Sequence, residues 1–156
     1  PHMHTIAGIA VVLGKALKPE FKEYGAQILK NATALAETLM GQGGKLITNG
    51  TSNHMMVLDT VKSFGIDGKV AEQTLDKIAI TTNKQVIPDD PNPPLKPSGI
   101  RIGTPAATTR GMREPEMKKL GGWMVAALRS PSDEAALARI AKDVTAFCRS
   151  FPLPGH

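Results

Sequence analysis

One arginine stands inside a short apolar run at residues 98–106, where Arg101 is flanked by two isoleucines and followed by a Gly-Thr-Pro turn. A guanidinium held on a rigid strand presents a planar fork of N–H donors that matches a carboxylate. Its charge stabilises such a ligand most where the surrounding wall is dry. The alternative is an edge-strand arginine whose head group stays in water. The pattern makes Arg101 a candidate carboxylate-binding residue.

Four histidines, at positions 2, 4, 54 and 156, raise the question of a metal site. His2 and His4 are two residues apart, so their side chains would point in different directions on a helix. No His-x-x-x-His, Cys-x-x-Cys or glutamate partner completes a ligand set. The sequence therefore predicts no metal site.

The other chemistry-bearing residues are better explained by structure. Asp89 and Asp90 are adjacent carboxylates in a loop, where solvated turn residues are a simpler interpretation than acid–base chemistry. Cys148 lies at helical spacing beside Val144 and is predicted to be a buried structural thiol rather than a nucleophile. The glycine-rich residues 41–44 follow a helix instead of opening one, so they predict a helix end and not a phosphate-binding loop.

Composition limits the remaining classes. The 156 residues are 41% hydrophobic, which suffices for one domain with a real core. No run approaches the ~20 apolar residues of a membrane span, so we expect a soluble protein without a membrane partner. The net charge of +5 is scattered along predicted helices and aromatic residues make up only 4%, which disfavours nucleic-acid binding.

Hydrophobic periodicity predicts the elements of the first half of the chain. Two helices are predicted at residues 4–17 and from Pro19 to about residue 40, separated at the proline because it cannot continue a helix. A β-hairpin should follow, with strands at residues 45–48 and 54–59. After it we expect a helix at residues 68–77 that buries Val70, and then a brief strand at residues 80–82.

The second half begins with a proline-rich segment at residues 83–98, predicted to be irregular and either a stiff functional arm or a plain connector. After the Arg101 strand, a helix should start near Pro115, and its Gly121-Gly122 pair predicts close packing. Ser130 is the predicted N-cap of the last helix. The predicted fold is an α+β two-layer sandwich, with a small, mostly antiparallel sheet covered by helices.

Several motifs in this chain closely resemble the C-terminal part of serine hydroxymethyltransferase in residue type, order and spacing. The resemblance covers nearly the whole chain. The motifs are Pro-His-Met-His-Thr-Ile-Ala-Gly at 1–8, Gly-Thr-Ser-Asn-His at 50–54, Asn-Lys-Gln at 83–85, Ile-Pro-Asp-Asp-Pro at 87–91, Ser-Gly-Ile-Arg-Ile-Gly-Thr-Pro-Ala at 98–106 and Thr-Arg-Gly-Met at 109–112.

This resemblance implies an aspartate-aminotransferase-like enzyme that uses pyridoxal phosphate and moves a one-carbon unit between serine and tetrahydrofolate, leaving glycine. Residues 1–18 would be the helix from the end of the large cofactor domain, and residues 19–156 the small C-terminal domain. Arg101 matches the arginine that binds the substrate carboxylate. Asn83 and Gln85 match the loop that contacts the folate, although the family commonly has asparagine at the position of Gln85.

No catalytic residue is expected on this chain, because the family's Schiff-base lysine belongs upstream of the matching region. The chain alone is therefore expected to be inactive. It would need the rest of the same enzyme and a second identical subunit, in the cytoplasm. An alternative from another class is a free-standing binding or interaction module that keeps the Arg101 strand but performs no chemistry.

Overall fold

A computed structural model describes residues 2–153, which form an α+β fold. The predicted fold class is confirmed: helices cover a small, four-stranded antiparallel sheet. No helix in this range is both long and apolar enough to cross a membrane. In chain order the elements are α1 (Met3–Ala16), α2 (Pro19–Gly41), β1 (Lys45–Leu46), β2 (Met55–Asp59), α3 (Thr60–Phe64), α4 (Gly68–Lys77), β3 (Asn83–Gln85), β4 (Gly99–Gly103), α5 (Pro105–Thr109), α6 (Glu114–Arg129) and α7 (Glu134–Cys148).

The sheet has the strand order β1-β2-β4-β3, so β4 lies between two partners. Side chains alternate between its two faces. Leu46, Leu58 and Ile100 lie side by side on the face that helices cover, and each is at least 96% buried. The opposite face carries Val57, half-buried, and Arg101, exposed.

Helices α2 and α6 form the most extensive helix pair of the fold. Their approach is close at Gly121, where an added Cβ would lie 2.9 Å from Thr38 Cγ2 and 3.2 Å from Leu35 Cδ1. The predicted close packing is therefore confirmed at Gly121. It is wrong for Gly122, where an added Cβ would meet nothing within 4 Å.

Helix α2 ends in the glycine-rich residues 41–44, as predicted. Gly43 has a φ of +90°, which suits a residue without a side chain. Its N–H donates to Met40 O at 3.0 Å, and Gly44 N–H donates to Leu39 O at 2.8 Å. These bonds satisfy carbonyls that the helix end would otherwise leave unpaired.

Several further sequence predictions need correction, including the irregular segment, which begins after Gln85 and not at residue 83. The strand after α4 lies at Asn83–Gln85 and not at residues 80–82, because Ile80 N–H instead donates to Leu75 O in the turn that ends α4. Helix α7 begins at Glu134 with Asp133 as its N-cap, whose carboxylate accepts from Ala136 N–H at 2.9 Å, so Ser130 is not the cap. Val70 is 38% exposed rather than buried.

Two short helices, α3 and α5, were not anticipated from the sequence. Helix α1 was anticipated, but none of its residues is buried within the described range. Its apolar side chains remain open, with Ile9 55% and Leu13 61% exposed. Cys148 packs against the core but is half-buried rather than buried as predicted.

Candidate functional site

Arg101 is positioned by the middle of strand β4. Its neighbours Ile100 and Ile102 point into the core and are 0% and 6% exposed, so the alternation of the strand sends Arg101 to the open face. The strand is interior, so the alternative is wrong about an edge position, although it correctly expected an exposed head group. The guanidinium is nevertheless exposed, and the described residues do not supply the dry wall that a strong carboxylate site requires.

Asn83 lies directly opposite Arg101, because β3 pairs with β4 in antiparallel register. Arg101 Nε donates to Asn83 Oδ1 at 3.1 Å. Asn83 Nδ2 in turn donates to Lys84 O at 2.9 Å. Within residues 2–153, Arg101 forms no ion pair, so its charge is available to a ligand.

Gln85 lies two residues further along β3 and on the same face of the sheet, opposite Gly99. Its Nε2 donates to Val86 O at 3.1 Å, and no hydrogen bond joins it to Arg101. The structure thus brings the three predicted site residues to one sheet face. Two of them are in contact, and the third is a near neighbour.

The proline-rich segment between β3 and β4 is organised around one carboxylate, Asp90. Its oxygens accept hydrogen bonds from Ile87 N–H (3.2 Å), Asn92 N–H (3.0 Å), Ser98 N–H (2.9 Å) and Ser98 Oγ–H (2.6 Å). Partial desolvation raises the pKa of Asp90, but these hydrogen bonds together outweigh it and hold the pKa well below its usual range. Asp89 is exposed and Asp90 half-buried, as expected for turn residues, but Asp90 is in addition the anchor of this loop.

The signal for this anchor was present in the sequence. Aspartate followed by proline and asparagine is typical of an Asx turn, in which the carboxylate accepts the N–H two residues on. That bond is present between Asp90 and Asn92. The bonds to Ser98, eight residues away, required knowledge of the tertiary fold.

Ser98 fixes the start of strand β4 from the other side as well. Its carbonyl accepts from Thr60 N–H at 2.9 Å and from Thr60 Oγ–H at 3.0 Å, where Thr60 directly follows β2. Gly68 N–H, at the start of α4, donates to Pro97 O at 2.6 Å. Arg101, three residues after Ser98, is therefore held by a rigid frame.

The open face next to Arg101 is partly apolar. Val57 on β2 lies beside Arg101 in register, and Met55 follows on the same face. Both side chains are half-buried. They also line a cleft with the loop at residues 47–53. This surface places two half-buried apolar side chains beside the Arg101 guanidinium and the amides of Asn83 and Gln85.

The described residues contain no group of three His, Cys, Asp or Glu side chains placed to hold a metal ion. His2 and His4 have ring centroids 5.4 Å apart at the exposed start of α1. His156 lies outside the described residues.

Comparison with known proteins shows the family to which this chain belongs. Residues 1–124 match the family model described as "Serine hydroxymethyltransferase". The chain therefore belongs to the serine hydroxymethyltransferase family.

Individual relatives agree with this assignment. The chain is 51% identical over 155 residues to a serine hydroxymethyltransferase of Acidobacterium capsulatum. It is 46% identical over 155 residues to that of Xanthomonas oryzae pv. oryzae, and 52% identical over 153 residues to that of Myxococcus xanthus. These alignments cover 98–99% of this chain but only 36–37% of each relative. The chain thus spans a little over a third of the length of the curated relatives that it matches.

Proposed function

We propose that this chain is the C-terminal part of a pyridoxal-phosphate-dependent enzyme that interconverts serine plus tetrahydrofolate and glycine plus methylenetetrahydrofolate. The observation that carries the proposal is the match to serine hydroxymethyltransferases at 46–52% identity along almost the entire chain. The exposed, unpaired Arg101 guanidinium on an open sheet face supports it, because an amino-acid substrate always presents a carboxylate.

In this proposal Arg101 binds the carboxylate of serine or glycine through its terminal N–H groups. Fixing that end of the substrate orients the bonds around its Cα, and the frame at Ser98 holds the strand backbone that carries Arg101. Val57 and Met55 limit water access from one side. Pyridoxal phosphate, when bound, supplies an electron sink for the bond that breaks at Cα.

The described residues fit one part of such a site. They offer a cation without an ion pair for the substrate carboxylate, on the sheet face where Arg101 is exposed. The contacts with the cofactor itself, including its covalent lysine, are proposed to come from the rest of the enzyme and from a second identical subunit. The chain alone is therefore proposed to be inactive.

Gln85 is proposed to face the folate, at the edge of the same surface. Asn83, the other residue that the resemblance matches to the folate loop, lies beside it but contacts Arg101 instead. Both amides are half-buried and lie on the open side of β3. Amide groups provide both donors and acceptors, which suits a heterocycle with the same mixed pattern. Gln85 carries its amide on a longer stem than the asparagine common in the family, so it reaches further from the strand.

Helix α1 supports the proposed domain division at residue 18. It contains many apolar side chains but buries none within the described range, as expected for a helix that packs against another domain. We assign residues 1–18 to the end of the large cofactor domain and residues 19–156 to the small domain. A homodimer in the cytoplasm completes the proposal.

The test is to express the complete reading frame that contains this chain and to measure glycine formation from serine. We expect formation that depends on tetrahydrofolate and pyridoxal phosphate, and none from the 156-residue chain alone. Absence of activity in the complete, cofactor-loaded protein would overturn the proposal. Retained glycine binding in that case would favour the non-catalytic binding module.

A further inference from the structure

Asn83 makes the one side-chain hydrogen bond that Arg101 forms within residues 2–153. The bond joins Arg101 Nε to Asn83 Oδ1 at 3.1 Å across a directly paired position of two strands. An arginine can receive a carboxylate either on the edge formed by Nε and one terminal nitrogen or on the edge formed by both terminal nitrogens. Because Asn83 occupies Nε, only the edge with both terminal nitrogens is left fully free.

The orientation of the Asn83 amide is itself fixed. Its Nδ2 donates to Lys84 O at 2.9 Å, so Oδ1 must face Arg101. A reversed amide would place two donors against each other at Nε. The Asn83 carboxamide thus presents its oxygen as an acceptor to Arg101, and this orientation of the amide is fixed.

Strand β3, which carries Asn83, is an edge strand but is held in place on both sides. Its inner side pairs with β4. On its outer side, Lys84 N–H donates to Glu72 Oε1 of helix α4 at 3.0 Å. Asn83 is therefore a rigid support for the long and otherwise exposed Arg101 side chain.

We infer that Asn83 is a positioning residue for the amino-acid site: it holds Arg101 so that the two terminal nitrogens of the guanidinium face the substrate carboxylate. This inference rests on the proposed function of Arg101. It assigns Asn83 a role distinct from folate contact, and leaves Gln85 as the residue of β3 that faces the folate.

The test uses the complete, cofactor-loaded enzyme with Asn83→Ala, Arg101→Ala and the double variant. Glycine affinity is measured by isothermal titration calorimetry, and KM is measured for serine and for tetrahydrofolate. Loss of one supporting hydrogen bond should raise the glycine Kd and the serine KM about five-fold. The folate KM should stay within about two-fold. In the Arg101→Ala background, Asn83→Ala should change glycine affinity no further.

Two more variants separate support from folding and from folate contact. Asn83→Leu keeps the branched shape but removes the acceptor, so it should weaken glycine binding as much as Asn83→Ala. Gln85→Ala is the matched control on the same strand and face, and it should raise the folate KM while glycine affinity stays constant.

The outcomes are distinguishable. If Arg101→Ala leaves glycine affinity intact, the proposed function of Arg101 is wrong. If Arg101→Ala weakens glycine binding but neither Asn83 variant does, the proposed function stands and the positioning role is overturned. An Asn83 effect of equal size in both Arg101 backgrounds, or one confined to the folate KM, also overturns the positioning role.

Discussion

Replacing Gly121 by alanine tests how closely helices α2 and α6 approach each other. Gly121 is buried in α6 and faces Thr38 and Leu35 of α2. An alanine Cβ at this position would lie 2.9 Å from Thr38 Cγ2 and 3.2 Å from Thr38 Cβ. Thr38 cannot simply rotate away, because its Cβ is fixed to the backbone and its hydroxyl donates to Ala34 O at 2.7 Å.

Two opposing effects set the size of the change. Glycine to alanine in a helix interior gains about 1 kcal/mol of helix propensity. Forcing an extra methyl group into a packed interface costs about 1–3 kcal/mol, and the short contacts here place the cost at about 3 kcal/mol. We expect Gly121→Ala to lower the free energy of unfolding by about 2 kcal/mol.

Gly122 provides a matched control one residue further along α6. An added Cβ there meets nothing within 4 Å, so Gly122→Ala should raise the free energy of unfolding by about 1 kcal/mol. The same chemical change at adjacent positions should therefore act in opposite directions. Adding Thr38→Ser to Gly121→Ala removes the nearest methyl and should recover about 1 kcal/mol.

The assay is equilibrium unfolding of the 156-residue chain in urea, followed by far-ultraviolet circular dichroism. With a slope of about 2 kcal/mol/M, Gly121→Ala should lower the midpoint by about 1 M. If Gly121→Ala is as stable as the unmodified chain, the conclusion that helices α2 and α6 pack closely at Gly121 is wrong. Equal effects of Gly121→Ala and Gly122→Ala would contradict the packing argument in the same way.

Three further predictions concern single side chains. In the complete enzyme, Arg101→Ala should lower kcat/KM for serine about a hundred-fold, and Arg101→Lys should not restore it because lysine lacks the planar pair of donors; a lysine variant close to the unmodified enzyme in steady-state kinetics would contradict this. Asp90→Asn should destabilise the fold at neutral pH. Folding lowers the pKa of Asp90, so the ionised carboxylate stabilises the fold fully above pH 3.8, its ordinary pKa, and less as the pH falls below that value. The difference in melting temperature between the variant and the unmodified chain should therefore shrink below pH 3.8. A difference that is constant with pH would contradict a role for the Asp90 charge. Asp133→Ala should lower the free energy of unfolding by about 1 kcal/mol through loss of the α7 cap, while Ser130→Ala should change it by less than about 0.5 kcal/mol in the same urea titration.

The sequence predicted best those helices whose ends carry capping residues or glycines. Helix α4 was placed at its observed bounds, Gly68–Lys77, and the end of α2 was marked by its glycines. Strand β3 was misplaced because Ile80, Thr81 and Thr82 favour a strand by side-chain type. Backbone pairing with β4 instead selects Asn83–Gln85, and Ile80 is used to end α4.

The candidate residues could be singled out from the sequence, but the contacts between them could not. Arg101 stood out because a charge interrupts an apolar strand. The bond from Arg101 to Asn83 depends on the register of two strands that are separated by the proline-rich segment, and no local pattern specifies that register. The anchoring of this segment by Asp90 depends on Ser98 in the same way.

Helix α1 has a consequence for how the 156-residue chain behaves when it is separated from any partner. A 14-residue helix without packing support is only marginally stable in water, so its amide hydrogens should exchange with solvent much faster than those of α6. Its uncovered valine, isoleucine and leucine side chains would also favour self-association at high concentration. Removing α1 should therefore improve the colloidal behaviour of the remaining domain without disturbing its core.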